Sequence, residues 1–293
     1  MTGLNVLLLG GSGQLGCELA RVYGDCQVYA PSHSEMPIEN LVSVAETLDQ
    51  RSVDLVFNCT AFHQVQECEE QPEKAFAINA ILVGKLAKEC SARNIPFVTV
   101  STDYVFSGDE SAAYGEYDRA APKNTYGISK LAGEHLAFCA NSNTFVFRVS
   151  GLFGRSGFSN KGPSFIERML RLAECGEKIE VVDNLVFSPS YAVHVADAIR
   201  PIVERGNAGI YHVTNTGQCS WYELAVEAIK QAGLDAQVVA KQFVQEREKL
   251  HRPLYSPLRH DAIEKWGFDK MPSWQTAVSD YLRVRKARNA RLA

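Results

Sequence analysis

The sequence predicts an α/β fold in which a parallel sheet carries helices on both faces, and three observations lead to that expectation. Short, largely apolar runs alternate with helical patterns through the first two thirds of the chain, as expected of strands buried on both sides. A glycine-rich turn joins the first run to the first helical stretch. Beyond Gly151 the alternation loosens, which predicts a smaller second lobe.

Each element follows from its local pattern. Asn5–Leu9 is a compact apolar run that ends in glycine and reads as the first strand. Leu15, Leu19 and Val22 then fall on one helical face, and Gly24 supplies a stop. Further strands are expected at Gln27–Ala30, Asp54–Cys59, Pro96–Ser101 and Thr144–Val149, with helices at Glu73–Ala92 and Tyr126–Ala140. Right-handed crossovers between them give a doubly wound sheet of Rossmann type. In the last third, Gly154–Ser164 reads as a loop, followed by a helix (Phe165–Ala173), a strand (Lys178–Asp183), a strand (Ile210–Asn215) and a helix (Trp221–Ala232). The expected organisation is a dinucleotide-binding domain over 1–151, with roughly 190–213 returning to it, and a substrate lobe over 152–293 interleaved with the sheet. The tail from Tyr281, with Arg283, Arg285, Lys286, Arg288 and Arg291, reads as a solvated helix end.

Composition narrows the function classes. With 46% hydrophobic and 22% charged residues, wholesale disorder is excluded, and 293 residues suffice for a large core. The sum of 30 basic and 34 acidic residues is −4, which offers no general attraction to nucleic acid or to an anionic membrane surface. The eight cysteines are scattered, without Cys-x-x-Cys or Cys/His ligand spacing, so they read as small buried hydrophobes in a reducing compartment, and no metal site is expected. The apolar run at the N-terminus is too short for a signal or a membrane span, and a cytoplasmic location is expected.

Gly10, Gly13 and Gly16 lie between the first strand and the first helix. Glycines there let backbone approach a pyrophosphate, which rests on the positive helix N-terminus, so the turn reads as a dinucleotide site. An NAD site usually has an acid about twenty residues further on, for the ribose 2′-hydroxyl. Here the region is Tyr29-Ala30-Pro31-Ser32-His33-Ser34, with no carboxylate before Glu35 and no arginine. Ser32, His33 and Ser34 can hydrogen-bond a 2′-phosphate, which tilts the expectation toward NADP and leaves NAD open.

Tyr126 and Lys130 stand one turn apart on a single helical face, so phenol and ammonium can share one site. A free phenol titrates near about pH 10; a neighbouring cation favours the phenolate and brings the group toward useful acid–base chemistry. Ser101-Thr102-Asp103-Tyr104 closes a predicted parallel strand at its C-terminal end, where α/β sheets place their ligands. The Thr102 hydroxyl there can donate to a substrate carbonyl.

The glycine turn, Thr102 after a buried strand, and Tyr126 with Lys130 resemble an extended short-chain dehydrogenase/reductase. Ser101-Thr-Asp-Tyr-Val-Phe-Ser-Gly108, Tyr126-Gly-Ile-Ser-Lys-Leu-Ala-Gly-Glu134, Arg252-Pro-Leu-Tyr-Ser-Pro-Leu258 and Trp274-Gln-Thr-Ala-Val are more narrowly similar to the dTDP-4-dehydrorhamnose reductase family. The resemblance runs over nearly the whole chain with its motifs in order. It implies NAD(P)H-dependent reduction of the keto group of a nucleotide-linked 4-keto-6-deoxy sugar, by a chain for which a homodimer is expected by analogy.

Residue by residue, the resemblance implies that Tyr126 protonates the keto oxygen, that Lys130 binds the nicotinamide ribose and lowers the Tyr126 pKa, and that Thr102 orients the carbonyl. Gly10, Gly13, Gln14, Leu15, Ser32, Asn58, Thr60, Ala61 and Asn79 are the further cofactor candidates, with Asn79 also able to support the site from its helix. Thr102, Asp103, Tyr104, Gly151 and Arg252 are expected at the sugar nucleotide. Arg148 and Arg252 are candidates for the diphosphate region or, equally, structural ion pairs. Pro189-Ser190-Tyr191 resembles the family's Pro-Thr-Tyr at the rim between the lobes.

Departures from the pattern bear on the reaction and the substrate. Nucleotide-sugar 4,6-dehydratases resemble the Thr102 stretch but carry Glu at the position of Tyr104; a neutral phenol is a poor base for a carbon acid, which favours plain carbonyl reduction. Cys59 and Thr60 replace part of an alanine-rich run, and Gln66 replaces an acid. Gly151 stands where rhamnose-forming reductases often have Trp, which predicts a more open sugar pocket. Glu18 matches one acidic position at which some of these reductases bind a metal between subunits, but its companions are not found. Two alternatives stay open: a reductase or epimerase of a different nucleotide sugar, and a non-catalytic NAD(P)-binding regulatory subunit like the β subunit of methionine adenosyltransferase.

Overall fold

Asn5–Leu9 (β1) sends Val6 and Leu8 into one core and Leu7 into another, where Leu9 joins it. Strand side chains alternate between faces, so such a run is stable only where both faces are covered. The computed structural model describes residues 3–154, 163–245 and 250–292, with Arg291 and Leu292 described by backbone alone. Most of the expected loop Gly154–Ser164, and the Arg291 side chain, lie outside the described residues.

After β1 come α1 (Gln14–Val22), β2 (Gln27–Tyr29), α2 (Leu41–Gln50), β3 (Leu55–Asn58), α3 (Val65–Glu70), α4 (Pro72–Phe76) and α5 (Leu82–Ser91). Then follow β4 (Phe97–Thr102), α6 (Thr125–Ala140), β5 (Thr144–Val149), β6 (Leu152–Phe153), α7 (Phe165–Glu174), β7 (Ile179–Val182), β8 (Val186–Phe187) and β9 (Ser190–Tyr191). The last elements are α8 (Ala192–Arg205), β10 (Gly209–His212), β11 (Cys219–Ser220), α9 (Trp221–Gln231), β12 (Val238–Lys241), α10 (Asp261–Lys265) and α11 (Trp274–Leu292). The helix expected over Glu73–Ala92 is interrupted: Ala77–Ile81, between α4 and α5, is a π turn.

Six parallel strands form one sheet in the order β2-β1-β3-β4-β5-β10. Helices α1 and α8 cover one face, and α2, α5 and α6 the other. The strand order reverses between β1 and β3, so the ligand crevice of such a sheet opens beyond their C-terminal ends. Gly10 follows β1 there, and Cys59 follows β3.

The second lobe gathers α7, α9 and the start of α11 around Ile166, Leu170, Leu224, Ala228 and Val278. Three two-stranded pairs, β7–β12, β8–β11 and β6–β9, complete it. Within the 152–293 stretch, α8 packs on α1, β10 pairs with β5, and Ala262 and Ile263 of α10 enter the sheet's core. The solvated reading of the basic tail needs correction at Arg285. Its guanidinium bonds Glu167 at 2.8 Å and Glu174 at 3.0 Å, because the face of α11 bearing Tyr281 and Arg285 packs on α7. Among the described residues, no helix is long and apolar enough to cross a membrane.

Candidate active site

The glycine turn is shaped by contact as well as by torsion. Gly10 has φ +78°, and a Cβ there would stand 2.9 Å from the backbone carbon of Cys59, so a side chain would close the gap between the ends of β1 and β3. Gly13 begins α1 without a side-chain cap, which leaves the first N–H groups of that helix for an anion. Two polar atoms beside this turn are buried and unpartnered: Gln14 Oε1 and Asn58 Nδ2. Asn58 Oδ1 is used by Thr60, which donates from its backbone N–H at 3.2 Å and from its hydroxyl at 2.6 Å. The cradle, the free helix end and the orphaned amide atoms fit a dinucleotide.

The other cofactor candidates are placed differently. Leu15 is a core side chain, so only its backbone faces the turn. Thr60 and Ala61 are half-buried at the end of β3. Ser32 is exposed; its hydroxyl bonds Glu35 at 2.8 Å and Ser34 at 3.0 Å, and its N–H donates to the same Glu35 carboxylate at 2.7 Å. Asn79 spends its amide inside the protein. It accepts from Phe62 N–H at 2.9 Å and donates to the Phe62 carbonyl at 2.8 Å and to Ser129 at 3.1 Å, pinning the loop after β3 to α6 from the π turn.

Helix α6 is held at its start by Asn124, whose Oδ1 accepts from Gly127 N–H at 2.8 Å and whose amide donates to the His251 carbonyl at 2.9 Å. The helix comes so close to the chain after β4 that a Cβ on Gly127 would stand 2.1 Å from the Tyr104 carbonyl. This approach sets Tyr126 beside Thr102 and edge-on to the Tyr104 ring, with centroids 5.8 Å apart. Burial raises the Tyr126 phenol above its ordinary value, and the Thr102 hydroxyl opposes that only in part. The expectation of a phenol lowered by Lys130 is therefore corrected. The Lys130 ammonium donates to the Val100 carbonyl at 2.6 Å, and burial lowers it to about 8 while Glu134 and Cys59 act in its favour.

On the substrate side, Thr102 donates to Asp103 at 3.1 Å and accepts from Tyr104 N–H at 3.2 Å. Burial raises the Asp103 carboxyl to about 6 although Ser256 donates to it at 2.6 Å. Arg252 donates to the Tyr104 hydroxyl at 3.1 Å, which ties the 250–258 segment to the end of β4. Arg148 is an ion pair of the interior: Nη2 meets Glu134 at 2.6 Å, both side chains 3% exposed. The space expected to open beside Gly151 is taken by Phe187 of β8: a Cβ on Gly151 would lie 2.1 Å from that ring.

Glu134, Glu35 and Phe187 have places in the site that their local sequence does not mark. Glu35 and Phe187 carry no local signal of their contacts; Glu134 carries one, its spacing of one turn beyond Lys130.

Comparison with known proteins identifies the family. The RmlD substrate binding domain family matches residues 4–286. A spore coat polysaccharide biosynthesis protein of Bacillus subtilis is 35% identical over 284 residues, covering 96% of this chain and 98% of its own. A dTDP-4-keto-6-deoxy-D-glucose reductase of Streptomyces niveus is 31% identical over 280 residues, covering 93% and 94%. The crystal structure of a dTDP-4-dehydrorhamnose reductase from Bacillus anthracis in complex with NADP is similar with a TM-score of 0.90 at 30% identity, covering 96% of this chain and 99% of that one. With a match that extends from the first strand into the last helix, the chain belongs to the RmlD substrate binding domain family.

Proposed function

We propose that the protein is an NADPH-dependent reductase of a dTDP-linked 4-keto-6-deoxy sugar. The observation that carries this reading is one continuous chain of neighbours. Gly10 of the dinucleotide turn abuts Cys59, Cys59 faces Lys130, Lys130 bonds the Val100 carbonyl of β4, and β4 ends at Thr102 beside Tyr126. A bound NADPH supplies the hydride for the carbonyl carbon. Tyr126, kept protonated by burial, gives its proton to the carbonyl oxygen; burial makes the phenol a weak acid, so the transfer depends on the hydrogen bond from Thr102 that favours the phenolate. Thr102 holds that oxygen and hydrogen-bonds the phenol that gives up its proton there, while the Lys130 ammonium binds the nicotinamide ribose.

Asn58 and Gln14 complete the cofactor cradle with Gly10 and Gly13, and Ser32 meets the adenosine ribose. Tyr104 and Arg252 hold the sugar nucleotide, and Tyr104 offers no carboxylate to abstract a carbon-bound proton. The proposal includes a homodimer acting in the cytoplasm, for which sedimentation of the purified chain gives the oligomeric state. Incubation with NADPH and a dTDP-4-keto-6-deoxyhexose, with the product followed by NMR, tests the reaction. The expected product carries a new hydroxyl with one equivalent of NADPH oxidised; an inverted centre without net oxidation would assign an epimerase instead.

A further inference from the structure

Glu134 and Arg148 take no part in the steps above, yet they sit directly behind them. Tyr126, Lys130 and Glu134 occupy i, i+4 and i+8 of α6 and so share one face. Arg148 of β5 grips Glu134 at two points, 2.9 and 2.6 Å, and Ser101 of β4 donates to the same carboxylate at 2.5 Å. Ser101 immediately precedes Thr102. A single buried carboxylate therefore joins the helix bearing Tyr126 and Lys130 to the strand bearing Thr102. A buried ion pair adds little stability over apolar residues of the same size, so stability alone is a weak reason for this one.

The charges around the pair are few. On α6, Lys130 faces Glu134; from the end of β3, the Cys59 thiol also faces Lys130, and burial pushes that thiol up to about 12. From β10, His212 Nε2 lies 3.4 Å from Arg148, and its Nδ1 faces the Arg259 carbonyl at 2.9 Å. Burial and the Arg148 charge hold that imidazole well below its ordinary value, so it stays neutral. The Phe106 ring covers the guanidinium at 5.2 Å. Among the described residues, Glu134 is thus the carboxylate that acts on Lys130, against the burial that disfavours an ammonium there.

We propose that Glu134 is a positioning residue for the reaction: it places a buried negative charge one helical turn from Lys130 and, through Ser101, sets α6 against the Thr102 end of β4. The proposal rests on Lys130 as the group that binds the nicotinamide ribose. NADPH binding, followed by the cofactor's fluorescence from neutral to alkaline pH, tests it without any sugar substrate. Affinity of the unaltered protein falls on the alkaline side as Lys130 loses its proton, and Lys130→Met abolishes that limb. Glu134→Gln keeps the shape and removes the charge, so the midpoint of the limb moves down by about one pH unit.

Because that change leaves Arg148 buried without a carboxylate, Glu134→Gln/Arg148→Met is measured beside it. Restored apolar packing leaves the midpoint still displaced downward, and the alkaline limb of kcat moves the same way. A merely structural pair gives weaker binding at an unmoved midpoint, recovered in the double variant, and that result overturns the proposal. An alkaline limb that persists in Lys130→Met shows instead that Lys130 does not hold the cofactor, and the proposal falls with that reading.

Discussion

Phe187 occupies the space that a side chain on Gly151 would need. Gly151 has φ +49°, and its absent Cβ would stand 2.1 Å from the Phe187 ring, which stacks on Trp221 at 4.2 Å. The aromatic wall at this part of the cleft therefore comes from β8 and α9, not from the end of β5. Gly151→Trp is expected to destabilise the protein by about 2–3 kcal/mol, through strain and overpacking. Thermal or urea unfolding measures the loss, and Gly151→Trp/Phe187→Ala recovers a substantial part of it. Equal stability of the single variant and the parent would show that the ring yields freely.

Tyr126→Phe removes the proton donor while keeping the ring that stands edge-on to Tyr104. The expected outcome is NADPH affinity within about twofold of the parent and kcat lower by about 10²–10⁴. Fluorescence titration and single-turnover kinetics give the two numbers. Unchanged turnover would assign the proton to another group.

Asp103 sets a pH dependence of stability with a definite sign. Its folded carboxyl is raised from 3.8 to about 6, so the folded protein binds this proton more tightly than the unfolded chain. The contribution of Asp103 is therefore most favourable below about pH 4 and is lost as pH rises through about 6. Asp103→Asn accepts from Ser256 without this titration. Relative to the parent, the variant gains up to about 3 kcal/mol between those limits. Urea denaturation at several pH values follows the difference; a variant that gains on the parent as the pH is lowered would reverse the assignment.

Glu35 reaches back to the Ser32 N–H and hydroxyl, the region read as meeting the adenosine ribose. Those two donations hold its carboxyl below the ordinary range, so it is an anion at neutral pH. An anion there opposes a 2′-phosphate and accepts from a 2′-hydroxyl. Glu35→Gln is expected to raise the NADPH-to-NADH preference in binding by about fivefold. Parallel titrations with the two cofactors read the ratio, and an unchanged ratio would place Glu35 away from the ribose.

Sequence alone determined the features that are periodic or local. Largely apolar strands between amphipathic helices specify a parallel sheet covered on both faces, and Gly10, Gly13 and Gly16 mark the turn after β1 whatever else the chain does. The spacing of Tyr126 and Lys130 places both on one face of α6 for the same reason. Tertiary structure alone decided where the charges go. Arg148 was equally a diphosphate ligand or an ion pair until β5 packed behind α6 and brought it to Glu134. Lys130 turned to the Val100 carbonyl, and Phe187 took the space beside Gly151, because elements distant in the chain were brought together. Burial and electrostatic interaction sum over every neighbour within a few ångströms, and most of those neighbours lie far away in sequence; spacing along one helix or strand cannot contain that sum.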